Sequence, residues 1–170
     1  LMNVALLTKW WWRLAHSESG LWEDLLREKY FSAGNVFNAK SSGSAFWNGI
    51  QVVRPAFSVG ARFEVKNGMS TRFWLDTWMG GRPLWQEFPQ LYNVASDTNV
   101  LVGEDLCSAP PAIHFMRPLS TTELASWDSL QAQFSQRQLS LGADKLSWDL
   151  TASQKFSVKS LYSKLPREAR

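Results

Sequence analysis

An Asn-Gly pair, Asn67-Gly68, stands between two runs that can pair as strands. Both turn positions of a two-residue hairpin need positive φ, and this pair supplies residues that tolerate it, which makes it the strongest short-range hairpin signal in the chain. A two-residue turn would set Lys66 opposite Met69, Glu64 opposite Thr71 and Arg62 opposite Phe73. One face would then carry Arg62, Glu64, Met69, Thr71 and Phe73, and the other Phe63, Val65, Ser70, Arg72 and Trp74. Neither face is wholly apolar. Arg72 beside Phe63, or Arg62 across from Phe73, would make cation–π contacts that need no ligand, each worth roughly 0.5–1 kcal/mol when exposed. An aromatic row follows directly, Phe73-Trp74-Leu75-Asp76-Thr77-Trp78-Met79-Gly80, then Pro83-Leu84 and Phe88-Pro89-Gln90-Leu91-Tyr92.

Helical periodicity dominates the chain before this hairpin. From Asn3 to Ala15, the residues Ala5, Leu6, Leu7, Trp10, Trp11 and Leu14 form a wide apolar stripe, with Lys9 and Arg13 one turn apart on the other side. Ser17 to Gly20 breaks the run, and Leu21, Trp22, Leu25 and Leu26 mark a second helix ending near Tyr30, so the two form a helical hairpin. Ser32 to Gly43 reads as a loop, after which Ser44 can cap a short helix carrying Phe46, Trp47 and Ile50.

Beyond the aromatic row, Asn93, Ser96, Asp97, Gly103, Ser108, Pro110, Pro111 and Pro118 interrupt every periodic run, and residues 93–118 read as an irregular linker. Ser120-Thr121-Thr122-Glu123 is a capping box flanked by a Leu119/Leu124 staple, and it opens a helix with Leu124, Trp127, Leu130, Gln131 and Phe134 on one face. Leu146 to Leu150 alternates, turns through Thr151 to Gln154 and resumes as Lys155 to Val158, a second hairpin over 146–158. Ser157 can cap a last helix that buries Val158, Leu161, Tyr162 and Leu165 and ends at Pro166. The expected fold class is α+β, with an N-terminal helical hairpin and two β-hairpins packed with short amphipathic helices. Its expected parts are 1–92, the linker 93–118, and 119–170.

Chemistry is sparse by comparison. Cys107 is the single cysteine, so no disulfide and no cysteine zinc site can form within the chain. Two-metal nucleotidyl transfer needs converging carboxylates, and no Asp-Asp pair exists; the contiguous acidic pairs are Glu23-Asp24 and Glu104-Asp105. His16 and His114 lack a ligand pattern, and no phosphate-cradling glycine loop, GxSxG or HExxH is present. No catalytic residue, cofactor or metal site is expected, and the chain reads as a non-enzyme. The chain opens on Leu1 without a basic-then-apolar leader or a long apolar run, so it is expected to be an internal piece of a longer protein, off the membrane and intracellular, the nucleus included. Net charge is +3, with 10 Lys/Arg against 6 Asp/Glu in residues 1–85, 2 against 7 in 86–144, and 6 against 2 in 145–170. Basic ends around an acidic middle permit nucleic-acid contact without requiring it.

The ordered set Asn3, Ala5, Leu6, Leu7, Lys9, Trp10, Trp12, Arg13, then Leu21-Trp22, Lys29-Tyr30, Ser44, Trp47, Ile50, Asn67-Gly68, Arg72-Phe73-Trp74, Asp76, Trp78, Gly80, Pro83-Leu84, Phe88-Pro89, Leu91-Tyr92, Trp148 and Phe156 to Tyr162 resembles one region of plant LINE-type (non-LTR) retrotransposon reverse transcriptases. That region follows the polymerase core and precedes the zinc-binding domain. Trp11 and Val100 to Phe115 depart from the pattern. The resemblance implies a noncatalytic connector bracing the polymerase and zinc-binding modules and touching the RNA template or target DNA. The same ordered set also suits a purely structural or protein-interaction scaffold, or a degenerate element remnant without activity. Under the first reading Lys9, Arg13, Lys66, Arg72, Lys159 and Lys164 are the candidates for phosphate contacts, and Trp74 and Trp78 for stacking on bases. Core packing and solvated charge compete for the same side chains.

Overall fold

The computed structural model describes residues 2–16, 20–31, 43–103, 113–137 and 139–165. Its elements run α1 (Met2–Ala15), α2 (Leu21–Tyr30), α3 (Ala45–Val52), α4 (Arg54–Ser58), β1 (Ala61–Glu64), α5 (Leu84–Glu87), α6 (Pro89–Tyr92), α7 (Thr121–Ser135), β2 (Lys145–Trp148) and α8 (Val158–Lys164). The fold class is α+β, as the patterning predicts, and the described strands form a two-stranded sheet. Strand pairing differs from the expectation. β1 pairs with β2, and not with residues 69–74, so neither predicted hairpin forms as a strand pair. The reason is that the backbone donors around the Asn-Gly turn go to a side chain distant in sequence, described below. At the second turn Trp148 N–H does donate to Gln154 O at 2.9 Å, closing the bend, but residues 155–157 are not strand.

The chain divides into two units, residues 1–62 with 146–170, and residues 63–145. Much of the expected linker is tied down: Arg72 bridges Leu101, Ala95 bridges Phe115, and Val94, Leu101, Val102 and Ile113 are buried. Residues 104–112 of that linker lie outside the described residues, as do residues 32–42 of the predicted 32–43 loop and Pro166.

In the first unit α1 packs against α2, α3, α4 and α8. Ala5, Thr8, Trp11 and Leu14 face inward at helical spacing. Thr8 is tolerated there because its hydroxyl donates to Val4 O at 2.7 Å. Trp11 Nε1 donates to Ile50 O at 2.7 Å, its ring meets Trp47, and Trp47 lies flat on Tyr30 with centroids 4.4 Å apart. A second cluster forms around fully buried Trp148, against Trp12, Phe57 and Phe156, with Trp148 Nε1 donating to Ser160 Oγ at 2.8 Å. Ser44 and Ser157 cap α3 and α8 as predicted, accepting from Trp47 N–H and Ser160 N–H.

The second unit is organised by rings. Phe73 contacts Trp74, Trp78 and Phe134, and Phe134 contacts Trp127, which meets Phe115. The capping box of α7 is present in both directions, Ser120 accepting from Glu123 N–H and Glu123 from Ser120 N–H. Leu130 and Phe134 are buried and Trp127 and Gln131 half-buried, as the spacing predicts, while Leu124 is 46% exposed and Glu123 is buried in its place at the first turn. Glu123 is accommodated there because the Arg117 guanidinium donates to its carboxylate at 2.7 and 2.9 Å and Ser120 N–H at 2.8 Å.

Candidate functional site

The Asn67-Gly68 turn is held by one carboxylate. Asp144 Oδ1 accepts from the backbone N–H groups of Lys66 (2.8 Å) and Gly68 (2.9 Å), and Oδ2 accepts from Ser70 N–H (3.1 Å), Ser70 Oγ (3.0 Å) and Thr71 Oγ1 (2.8 Å). Burial pushes the Asp144 carboxyl up, but the donors from Lys66, Gly68, Thr71 and Ser70 together outweigh it and hold it below the usual aspartate value. Gly68 has φ +70°, and a Cβ there would sit 2.3 Å from Gly103 N, so both its handedness and its close backbone neighbour require glycine. Sequence reasoning missed Asp144 because it acts across more than seventy residues, with no local pattern to announce it.

Immediately after this turn Arg72 is 4% exposed and forms a closed ring with Asp76. Arg72 N–H and Nε donate to Asp76 Oδ2 at 2.8 and 3.2 Å, and Nη2 to Oδ1 at 2.5 Å. Removing either partner would leave a buried unpaired charge, which is why such pairs are seldom available to outside ligands. Arg72, a candidate for phosphate contact, thus lies in a buried ion pair. Trp74 is 0% exposed and Trp78 5%, with Trp78 Nε1 donating to Phe73 O at 2.9 Å. Neither ring offers a face to a base, so core packing replaces the stacking expected of them.

The remaining candidates are spread over both units. Lys66 is half-buried, and its backbone N–H and C=O serve Asp144 and Ser140. Arg13 lies over the Trp10 ring at 5.2 Å and pairs with buried Glu23 at 2.5 Å. Lys9 on α1 and Lys159 and Lys164 on α8 are exposed, without an ion-pair partner among the described residues.

What the sequence did not single out is an apolar groove in the first unit. The predicted stripe Leu21, Trp22, Leu25 and Leu26 does not go inward as a set. α2 is turned so that Glu23, Leu26 and Tyr30 are buried, held by the Arg13–Glu23 pair, by Arg27 donating to Leu14 O, and by the Tyr30–Trp47 stack. Leu21, Trp22 and Leu25 are left 78%, 64% and 48% exposed. Together with Trp10, Leu26, Tyr30 and Phe46 the latter two line an open groove of about 930 Å³. Trp10 and Phe46 meet edge to face at 5.4 Å in its wall. The polar groups at its end are turned on each other: Ser44 N–H donates to Tyr30 Oη and Tyr30 Oη to Ser44 Oγ, both at 3.1 Å. Those Ser44 contacts hold the Tyr30 phenol below its usual pKa.

Such an arrangement can bind apolar surface. Among the described residues no group of three His, Cys, Asp or Glu side chains converges as metal ligands, and no helix is long and apolar enough to cross a membrane. Comparison with known proteins gives one informative match. The chain is 30% identical over 177 residues, 96% of its length, to an Arabidopsis thaliana protein described as "Putative ribonuclease H protein", and it spans 27% of that protein's length. No family model matches it. No solved structure matches it significantly.

Proposed function

We propose that this chain is a noncatalytic docking segment of a plant retroelement-derived polyprotein, equivalent to the stretch between the polymerase core and the zinc-binding domain of LINE-type reverse transcriptases, which uses its apolar groove to seat a neighbouring part of that polyprotein. The observation that carries this reading is the exposure of Trp22, Leu25 and Phe46 around one groove while the rings of the 73–78 row are buried. Contiguous exposed apolar surface rimmed by polar groups is a mark of an interaction site. Similarity along nearly the whole chain to a ribonuclease H-named plant protein supports a retroelement origin, as does the ordered motif set.

On this reading hydrolysis lies elsewhere in such a protein. Two-metal phosphodiester cleavage needs carboxylates free to share ions. The buried carboxylates described here already serve protein partners: Asp76 serves Arg72, Glu123 serves Arg117, and Glu23 serves Arg13. The exposed Lys9, Lys159 and Lys164 favour a second, weaker role in steering toward an RNA or DNA backbone.

Overlapping peptides covering the sequence that flanks this segment in its Arabidopsis relative test the docking role. The wild-type chain should capture at least one peptide that the Trp22→Ala/Leu25→Ala variant does not. Capture of none, or equal capture by both, would reject it. Filter binding to RNA and single-stranded DNA at two salt concentrations tests the second role, since no salt-sensitive affinity would remove it.

A further inference from the structure

The turn that anchors the second unit carries a chemical liability of its own. Asparagine is a thermolabile residue, and before glycine it is most open to losing its side-chain amide, because no Cβ on the second residue hinders the main-chain nitrogen. In that reaction the Gly68 nitrogen attacks the Asn67 side-chain carbonyl carbon and a C–N bond forms. The bond from that carbon to Nδ2 breaks, and the Gly68 proton leaves with Nδ2 as ammonia. Water then opens the cyclic imide on one side or the other, giving an aspartyl or an isoaspartyl residue at position 67. The isoaspartyl form lengthens the main chain by a methylene. Water is the one co-reactant.

This fold cannot avoid the reaction by replacing the glycine, since φ is +70° there and a Cβ would lie 2.3 Å from Gly103 N. Nor is the electrophile withdrawn. The Asn67 side chain is folded onto the residues that follow it, with Oδ1 accepting from Met69 N–H at 3.0 Å, and that bond draws electrons toward Oδ1 and favours attack at its carbon. The structure intervenes at the nucleophile. Gly68 N–H donates to Asp144 Oδ1 at 2.9 Å, so a carboxylate holds the proton the nitrogen must lose and sets a negative charge beside the amide anion that would form. Both effects disfavour the reacting state. The nitrogen must also turn toward Asn67, and the groups around it are pinned: Lys66 N–H by Asp144 Oδ1 at 2.8 Å, Ser70 N–H by Oδ2 at 3.1 Å, and Gly68 O by Gly103 N–H at 2.9 Å. We infer that Asn67 is a latent self-modification site and that Asp144 shields it, so that the imide forms only in molecules whose Asp144 contacts have opened. Conversion at position 67 then records opening of this turn. An isoaspartyl product makes the record permanent, because the lengthened chain no longer presents the N–H groups of residues 66, 68 and 70 at the spacing one carboxylate spans.

The test incubates the whole chain in mildly alkaline buffer, digests it with pepsin in acid to stop the reaction, and reads conversion from the mass of the peptide containing position 67. Native wild type should convert at least about tenfold more slowly than the same chain unfolded in urea, and Asp144→Ala at least about tenfold faster than native wild type, each factor of ten being about 1.4 kcal/mol of opening. Phe134→Leu weakens the same unit at its ring cluster and leaves the turn untouched, which separates shielding by Asp144 from stability in general. While circular dichroism shows it folded, it should convert close to the wild-type rate. Asp144→Asn has nearly the same shape and keeps one carbonyl oxygen for Lys66 and Gly68 but loses the charge; it decides the matter where Asp144→Ala does not fold, and it should convert faster than Phe134→Leu. Native wild type converting as fast as the urea-unfolded chain, or folded Asp144 variants converting no faster than Phe134→Leu, would overturn the inference.

Discussion

Trp22 and Trp74 are the same residue put to opposite uses. Trp74 lies at 0% exposure in a run whose backbone and charges are tied off by Asp144 and by the Arg72–Asp76 pair, with Phe73, Trp78 and Phe134 closing the ring cluster. Trp22 lies at 64% exposure on a helix whose orientation is set by other residues, Glu23, Leu26 and Tyr30. Aromatic density alone does not say whether rings will build a core or present a surface. What differs is what holds the neighbouring positions: Trp74 is enclosed against Phe73 and Tyr92 although its own Nε1 finds no hydrogen-bond partner, whereas on α2 the inward positions belong to Glu23, Leu26 and Tyr30, with Glu23 paired to Arg13 and Tyr30 stacked on Trp47.

The sharpest way to break this contrast is at Trp74 itself. Trp74→Ala should lower unfolding stability by about 3–5 kcal/mol, measured by urea denaturation, because it opens a ring-sized void in a closed core. Asp144→Ala comes next. It strips the acceptor from the N–H groups of Lys66, Gly68 and Ser70, and with the carboxyl partly exposed the loss should be about 2 kcal/mol. If the variant melts like the wild type, the turn is held by something else.

Acid should erode the same unit. Glu123 is held down from its ordinary 4.5 to about 2, chiefly by the Arg117 guanidinium and then by Ser120, and Asp144 is held below its ordinary 3.8. A carboxyl with a depressed folded-state pKa stabilises above its unfolded value and loses that contribution as pH falls through the folded one. Melting temperature should therefore decline from about pH 4.5 toward 2, and Glu123→Gln should flatten the upper part of that decline. A melting temperature that rises on acidification would contradict both assignments. The smallest effect belongs to Trp22→Ala, which should change stability by no more than about 0.5 kcal/mol in the same denaturation experiment. A larger loss would mean that the ring is part of the core.

Much of this fold is legible in the sequence where the signal is local. Ser44, Ser157 and the Ser120/Glu123 box lie within three residues of the groups they cap, and all three caps form. Gly68 takes the positive φ that the Asn-Gly turn predicts. What is not legible is anything closed by a distant residue. β1 finds its partner in β2, some eighty residues on, and the turn donors that would have served a hairpin serve Asp144. The face of α2, and the first turn of α7, depart from the pattern for a related reason. Hydrophobic spacing ranks Glu23 and Glu123 as outward positions, and only their arginine partners, Arg13 and Arg117, make them inward ones. The groove follows from the orientation of α2, since Trp22 and Leu25, turned away from its inside, line it.

The central claim is that the rings of the 73–78 row are sealed while Trp22 stands open at a groove. Fluorotryptophan labelling with ¹⁹F NMR tests it directly, with Trp22 and Trp74 resonances assigned by their loss in Trp22→Phe and Trp74→Phe and a soluble gadolinium chelate as the probe of accessibility. The account predicts strong broadening of the Trp22 signal and little or none at Trp74. A protected Trp22 beside a broadened Trp74 would contradict it.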